Sequence, residues 1–202
     1  MKQKQIKIFG LILIIMFSIR TFGFSQIDSV KYPVLDLEIE SGIFFNQNKA
    51  FVDKYKSKSN FNWSLGITIG SSTMKVLQWI KYSQYQLNID SLTGYNTTIP
   101  LKAKRKQLSV GLVNPFKISS NDFVQIKYGI SYNFLSESST DFDSDVIGFL
   151  FSAGYMRQIT KEFKYHLDVG YEYSKSNLGV LYRDWSGFYI NIGASFNMFP
   201  RL

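Results

Sequence analysis

The sequence predicts an all-β protein, an eight-stranded antiparallel up-and-down transmembrane β-barrel. Three observations carry the prediction: a residue-by-residue alternation of apolar and polar side chains, runs long enough to cross a bilayer, and connections that alternate between long and short. Aromatic residues make up 17% of the 202 residues, with 13 Tyr and 18 Phe. Mean hydropathy is nevertheless only −0.07. A chain that is rich in aromatics yet not apolar on average must interleave the two kinds of residue finely. Beyond the N-terminus no apolar stretch approaches the roughly 20 residues of a membrane helix. A chain of this kind spans a bilayer only as closed strands, whose backbone groups pair with one another.

The alternation has period two, the spacing of side chains on one face of a strand. It is cleanest where Phe61, Trp63, Leu65, Ile67 and Ile69 oppose Asn62, Ser64, Gly66, Thr68 and Gly70. Val124 to Phe134, Phe163 to Tyr173 and Phe188 to Met198 repeat it. Eight such runs are predicted over residues 34–46, 61–70, 75–88, 99–112, 122–134, 145–157, 162–174 and 187–199. Most exceed the roughly 9–11 residues of a tilted membrane strand. Strands of soluble proteins average about five or six. With both barrel ends in the periplasm, the outward connections are 47–60, 89–98, 135–144 and 175–186, and the inward ones are 71–74, 113–121 and 158–161. Long outside and short inside is the bacterial outer-membrane pattern.

Residues 1–25 are predicted to be a signal peptide, with residues 26–202 the barrel domain. Lys2, Lys4 and Lys7 form a basic n-region, and Ile8 to Ile19 form the apolar segment. Gly23 and Ser25 supply small residues before a cut at Gln26. That segment holds four basic and no acidic residues, so the formal charge of +8 falls to +4 in the exported part. Half of the basicity therefore belongs to targeting, and a nucleic-acid partner is not expected. The chain has no cysteine, which excludes a disulfide scaffold, a thiolate metal site and a lipid-modified N-terminal cysteine.

Apolar rows facing lipid leave the polar rows for the lumen, which in an eight-stranded barrel is just wide enough to be filled by side chains. Asp36, Glu38, Glu40, Lys127, Lys164, His166, Asp168 and Glu172 are the expected lumen network. Trp63, Trp79, Tyr182, Trp185, Tyr189, Phe196 and Phe199 are candidates for the interfacial girdles that amphipathic rings prefer. Lys49, Lys54, Lys56 and Lys58, in the first outward connection, are placed to meet lipopolysaccharide phosphates. One stretch resists the scheme. Lys102, Lys104 and Lys106 share the phase of Leu108, Val110 and Leu112. A lysine at the bilayer midplane costs about 2–4 kcal/mol. Either a bulge switches the faces, or the hairpin projects above the membrane; projection is the expectation here.

Candidate chemistry is sparse. His166 is the single histidine and shares its strand face with Asp168 and Glu172. A lipid A acyl hydrolase built on it would need a nucleophile within reach, and no GxSxG elbow is present. A hydrogen-bonded lumen histidine is the expected role. Asp141, Asp143 and Asp145 offer oxygen ligands, but their spacing lacks the glycine and distal glutamate of a calcium loop. No catalytic residue, metal or cofactor is therefore expected. A soluble exported lipocalin-like barrel, with the apolar rows turned inward around a ligand, is the alternative architecture.

The chain resembles the small outer-membrane β-barrel family, labelled "porin family" or OmpX-like, over about residues 34–199. The resemblance rests on the leader ending in Ser25-Gln26, on Ile99-Pro100-Leu101 and on DVIGFLFSAGYMRQITKEFKYHLDVGYEYS. It rests also on the terminal GFYINIGASFNMF, similar to the aromatic-ending strand that the barrel-assembly machinery reads. It implies a Gram-negative outer-membrane location, lipid and lipopolysaccharide as surroundings, and a structural or surface-interaction role without catalysis.

Overall fold

The computed structural model describes residues 33–49, 52–53, 58–71, 75–88, 102–137, 142–174 and 184–199. Eight strands run in chain order as β1 (Pro33–Asn46), β2 (Ser59–Ser71), β3 (Leu77–Asn88), β4 (Lys102–Lys117), β5 (Asp122–Glu137), β6 (Phe142–Gln158), β7 (Phe163–Ser174) and β8 (Gly187–Asn197). Each pairs antiparallel with the next, and β8 closes on β1. The residues of the expected signal peptide lie outside the described residues.

The register fixes the geometry. A line of paired residues runs from Asp36 through Thr68, Trp79, Gly111, Gly129, Leu150, Glu172 and Gly187, and returns to β1 at Asn46. One circuit thus climbs ten residues, Asp36 to Asn46, along the first strand. With strands about 4.8 Å apart and a rise of about 3.3 Å per residue, that stagger tilts the strands by about 40°. Each residue then gains about 2.5 Å along the barrel axis, and each step to the next strand about 3 Å.

The apolar rows face outward. Ile39, Phe149 and Ile192 are each about 60% exposed (59, 61 and 61%), and Leu65, Phe151, Leu167 and Ile190 continue the wall around the barrel. The alternate positions are buried and mostly polar, among them Ser64, Thr68, Gln107, Ser131, Asn133, Ser152 and Asn191. This is the reverse of a lipocalin-like barrel, whose apolar rows would line a cavity. An apolar surface this extensive does not stay in water on a monomeric soluble protein.

Three strand boundaries depart from expectation. β4 runs on to Lys117, because Pro115 and Phe116 keep pairing with Gln125 and Val124. The inward connection there shrinks from 113–121 to the four residues 118–121. Likewise β5 and β6 continue to Glu137 and from Phe142, so the outward connection predicted over 135–144 is only residues 138–141. The polar composition of 135–144 reads as a loop, yet strand pairing carries on where side chains leave the hydrocarbon. β3 ends at Asn88 as expected and β4 begins at Lys102, so among the described residues β3 to β6 reach higher than β7, β8, β1 and β2. There is no bulge at the lysine run. β4 holds an unbroken register with β3 from Lys102 to Val113 and with β5 from Ala103 to Lys117.

Two inward turns share one device. In the β4–β5 turn the Ser119 hydroxyl accepts the Asp122 amide (3.2 Å) and donates to its carboxylate (2.6 Å). In the β6–β7 turn the Thr160 hydroxyl accepts the Glu162 and Phe163 amides (3.2 and 3.0 Å) and donates to the Glu162 carboxylate (2.7 Å). A short hydroxyl side chain thus satisfies turn amides that no strand partner reaches.

Candidate functional site

The lumen holds two layers of charged side chains. The lower is centred on Glu40 of β1, which is 2% exposed. Its Oε2 accepts from Ser64 Oγ and Lys81 Nζ at 3.0 Å each, and from Asn191 Nδ2 at 3.2 Å. Its Oε1 faces His166 Nε2 at 3.1 Å and Lys127 Nζ at 3.4 Å. Lys127 also reaches Asp168 at 3.0 Å and Glu38 at 3.5 Å, and Gln125 Nε2 donates to Asp168 at 2.8 Å. Thr68 Oγ1 donates to Glu38 at 2.5 Å, and Lys164 pairs with Asp36 at 2.6 Å nearer the inward end. Four carboxylates thus face three ammonium groups and one imidazole. Buried charges persist only when paired and hydrogen-bonded in this way.

The upper layer is built around Arg105 of β4, 3% exposed. Its Nη2 meets Glu172 Oε2 at 2.5 Å and Asn133 Oδ1 at 2.9 Å, and its Nη1 donates to the Trp185 carbonyl at 3.4 Å. The guanidinium lies over the rings of Tyr85, Phe44 and Trp185, at 4.3, 4.8 and 5.7 Å from their centroids. Gln107, Asn133 and Ser131 all donate to Glu172 Oε1, at 2.7 to 2.9 Å. Between the layers lies a cavity of only about 10 Å³, lined by Lys81, Ser83, Tyr85, Gln107, Glu172 and Asn191 among others. That is space for about one water molecule.

Of the eight residues expected in the lumen, seven gather in the lower layer and Glu172 joins the upper one. Lys81, Arg105, Gln107 and Asn133 were not among those expected. Arg105 sits one residue from Lys104 and from Lys106, and only strand phase sends it inward.

Three expected girdle aromatics belong inside. Trp79 is 4% exposed; its indole packs over β4 and β5, and its Nε1 donates to the Leu112 carbonyl at 3.1 Å. Gly111 and Gly129 leave that space open, since a Cβ on either would lie 2.7 or 2.9 Å from Trp79 Cζ2. Trp185 is fully buried against Arg105. Tyr189 is 6% exposed, because Phe188 and Ile190 take the outward phase of β8. Trp63 faces outward with its ring 5.8 Å from Tyr82, while Phe196 and Phe199 are about half exposed at the other end. Tyr182 lies outside the described residues.

Lys49 and Lys58 are exposed beside the first outward connection, and Lys54 and Lys56 lie outside the described residues. Asp141 is likewise outside them. Asp143 and Asp145 stand on β6 instead of in a loop, opposite Ser136 and Phe134. Asp145 accepts the Tyr132 hydroxyl at 2.5 Å. Glu38, Glu40 and His166 do bring ligand atoms within 4.8 Å of one another. The cation among those carboxylates is Lys127 itself. Both acids near His166 Nε2, Glu40 and Asp168, are carboxylates, at 3.1 and 3.8 Å. A serine-type triad needs a hydroxyl at an imidazole nitrogen, and this histidine is 2% exposed inside the barrel.

No family model and no curated protein matches the chain. Solved structures do match its fold. Neisserial surface protein A superposes with a TM-score of 0.58 at 13% identity, covering 84% of this chain and 100% of its own. A major outer membrane protein from Thermus thermophilus gives 0.59 at 11% identity, covering 82% and 99%. The outer membrane protein OprG from Pseudomonas aeruginosa gives 0.58 at 10% identity, covering 86% and 100%. The likeness is one of fold: the chain is a transmembrane-type β-barrel.

Proposed function

We propose that this chain is an exported, non-enzymatic protein of a Gram-negative outer membrane. In this reading it has a filled lumen, and its structural or surface-interaction role is carried by the outward connections. The observation that carries it is the pairing of an apolar outer wall with a lumen crossed by two ion-paired layers. The wall suits lipid. The cavity of about 10 Å³ between the layers, with room for about one water molecule, supports a filled lumen. Residues 1–25 are assigned to export and removal, and lipopolysaccharide and the assembly machinery are the partners. Lys49, Lys54, Lys56 and Lys58 are assigned to lipopolysaccharide phosphates. That two of the neighbours named above are outer-membrane proteins supports the location.

The test is fractionation and gel migration. The protein is expected in membranes, released only by detergent, and faster on gels unboiled than boiled. Recovery in the soluble periplasmic fraction would overturn the reading. Planar-bilayer recordings of the purified barrel are expected to be silent, and steady single-channel steps would overturn the filled lumen.

A further inference from the structure

The lysine run on β4 is the one sequence feature that the barrel itself does not use. Its place in the fold gives it a role. Lys106 is exposed and lies opposite Gln84 of β3 and Phe134 of β5. It follows Leu108 in the outward phase, with no bulge between them. Phe116, 51% exposed, lies on the same strand ten residues toward the inward end. At about 2.5 Å per residue the two are about 25 Å apart along the axis, the height of the apolar band of such barrels. Lys106 therefore stands at the upper edge of the hydrocarbon. Lys104 and Lys102 are two and four residues beyond it, in the same strand and phase, opposite Gln86 and Asn88.

We propose that Lys106, Lys104 and Lys102 form a phosphate-binding ridge on the outer wall, and that its ligand is the phosphorylated sugar headgroup of lipid A in the outer leaflet. The placement answers the energetic objection to these lysines: they climb through the headgroup layer instead of the hydrocarbon. Neighbouring Gln84 and Gln86 are neutral and add no competing negative charge. On this wall Asp145 lies two strands from Lys106 and is engaged by Tyr132, and Asp143 lies two strands from Lys104 in the same register. A basic residue at an anionic membrane surface attracts headgroups and loses that attraction within about a Debye length, so height decides the effect. The ridge rests on the membrane-barrel reading above, and it is distinct from the loop lysines at 49–58.

The test uses the folded full-length barrel in neutral detergent, titrated with bisphosphorylated lipid A and with its dephosphorylated form, with complexes counted by native mass spectrometry. The native protein is expected to prefer the phosphorylated form. Replacing Lys102, Lys104 and Lys106 together by Gln should weaken that binding by about fivefold per lysine. Lys117→Gln, at the opposite end of β4, should leave it unchanged. Equal binding of both lipid forms would overturn the proposal, as would undiminished binding by a triple variant that keeps its gel shift. Loss on replacing only Lys49, Lys54, Lys56 and Lys58 would overturn it too, in favour of the first loop. If the native chain never shows a gel shift or detergent dependence, the barrel reading itself has failed, and that failure is distinguishable from loss of the ridge.

Discussion

Arg105 and Glu172 come from β4 and β7 and meet at 2.5 Å across the lumen, each nearly fully buried. Neither has solvent to fall back on. Removing one leaves the other as an uncompensated buried charge, which typically costs about 3–5 kcal/mol. Glu172→Ala is therefore expected to lower the unfolding free energy of the barrel refolded into lipid vesicles, read from its urea denaturation curve, by that order. Arg105→Met combined with Glu172→Leu should cost less than either single change, because it removes both charges together. Additive losses, with the double variant costing the sum of the two single changes, would argue that the pair is incidental.

Trp63 and Trp79 differ in which side of the wall they occupy, and fluorescence reads the difference. Trp63 faces outward beside Tyr82, whereas Trp79 lies inward over Gly111 and Gly129. In single-tryptophan variants, lipids brominated on the acyl chain are expected to quench Trp63 strongly and Trp79 or Trp185 little. Trp79→Ala should also destabilise the barrel by about 3–5 kcal/mol, as large-to-small core changes do. Strong acyl-chain quenching of Trp79 would reverse its assignment.

The contrast between these tryptophans shows what one strand's sequence reveals. In β2 and β7 the polar phase holds small, polar or charged residues, so inside and outside read directly from the alternation. In β3 both phases carry large residues, and Trp79 shares its phase with Lys81 and Ser83. What admits an indole to the lumen is the pair of glycines on β4 and β5, a cross-strand property fixed by register. The same limit hid Arg105 among three outward-phase lysines. The acids of the lower layer were legible because Asp36, Glu38 and Glu40 alternate with Leu37 and Ile39 on one strand. Strand ends were the least legible, since a polar strand rising above the membrane has the composition of a loop.

The inward turn at Thr160 carries a pH dependence. Hydrogen bonds from the Thr160 hydroxyl and from the backbone hold the exposed Glu162 carboxyl below its usual range. A group with a depressed folded value stabilises the structure above its unfolded value, and that contribution is lost as pH falls through the folded value. Hydrogen exchange at the Glu162 and Phe163 amides is thus expected to quicken, relative to the intrinsic rate, as pH falls below the usual glutamate range and the carboxylate protonates. Thr160→Val should abolish the pH dependence while leaving the rest of the barrel protected. A turn whose protection does not change with pH in the native protein would refute the linkage.

Glu40 is the most heavily engaged acid of the lumen, with Ser64, Lys81, Lys127, His166 and Asn191 all turned toward it. Glu40→Gln keeps the shape but leaves Lys81 and Lys127 short of charge, and it should cost several kcal/mol on the scale of a broken buried pair, about 3–5. Lys81 depends on Glu40 more than Lys127 does, because Lys127 retains Asp168 at 3.0 Å and Glu38 at 3.5 Å. A double-mutant cycle should therefore discriminate between them. Lys81→Met placed on Glu40→Gln is expected to restore part of the loss, whereas Lys127→Met should deepen it by stranding Glu38 and Asp168. Residues that act as one network give interaction energies of about 0.5–3 kcal/mol in such cycles. Additive behaviour at Glu40 and Lys81 would mean that the 3.0 Å contact between them contributes nothing specific, and that the lower layer is held by Lys127 alone.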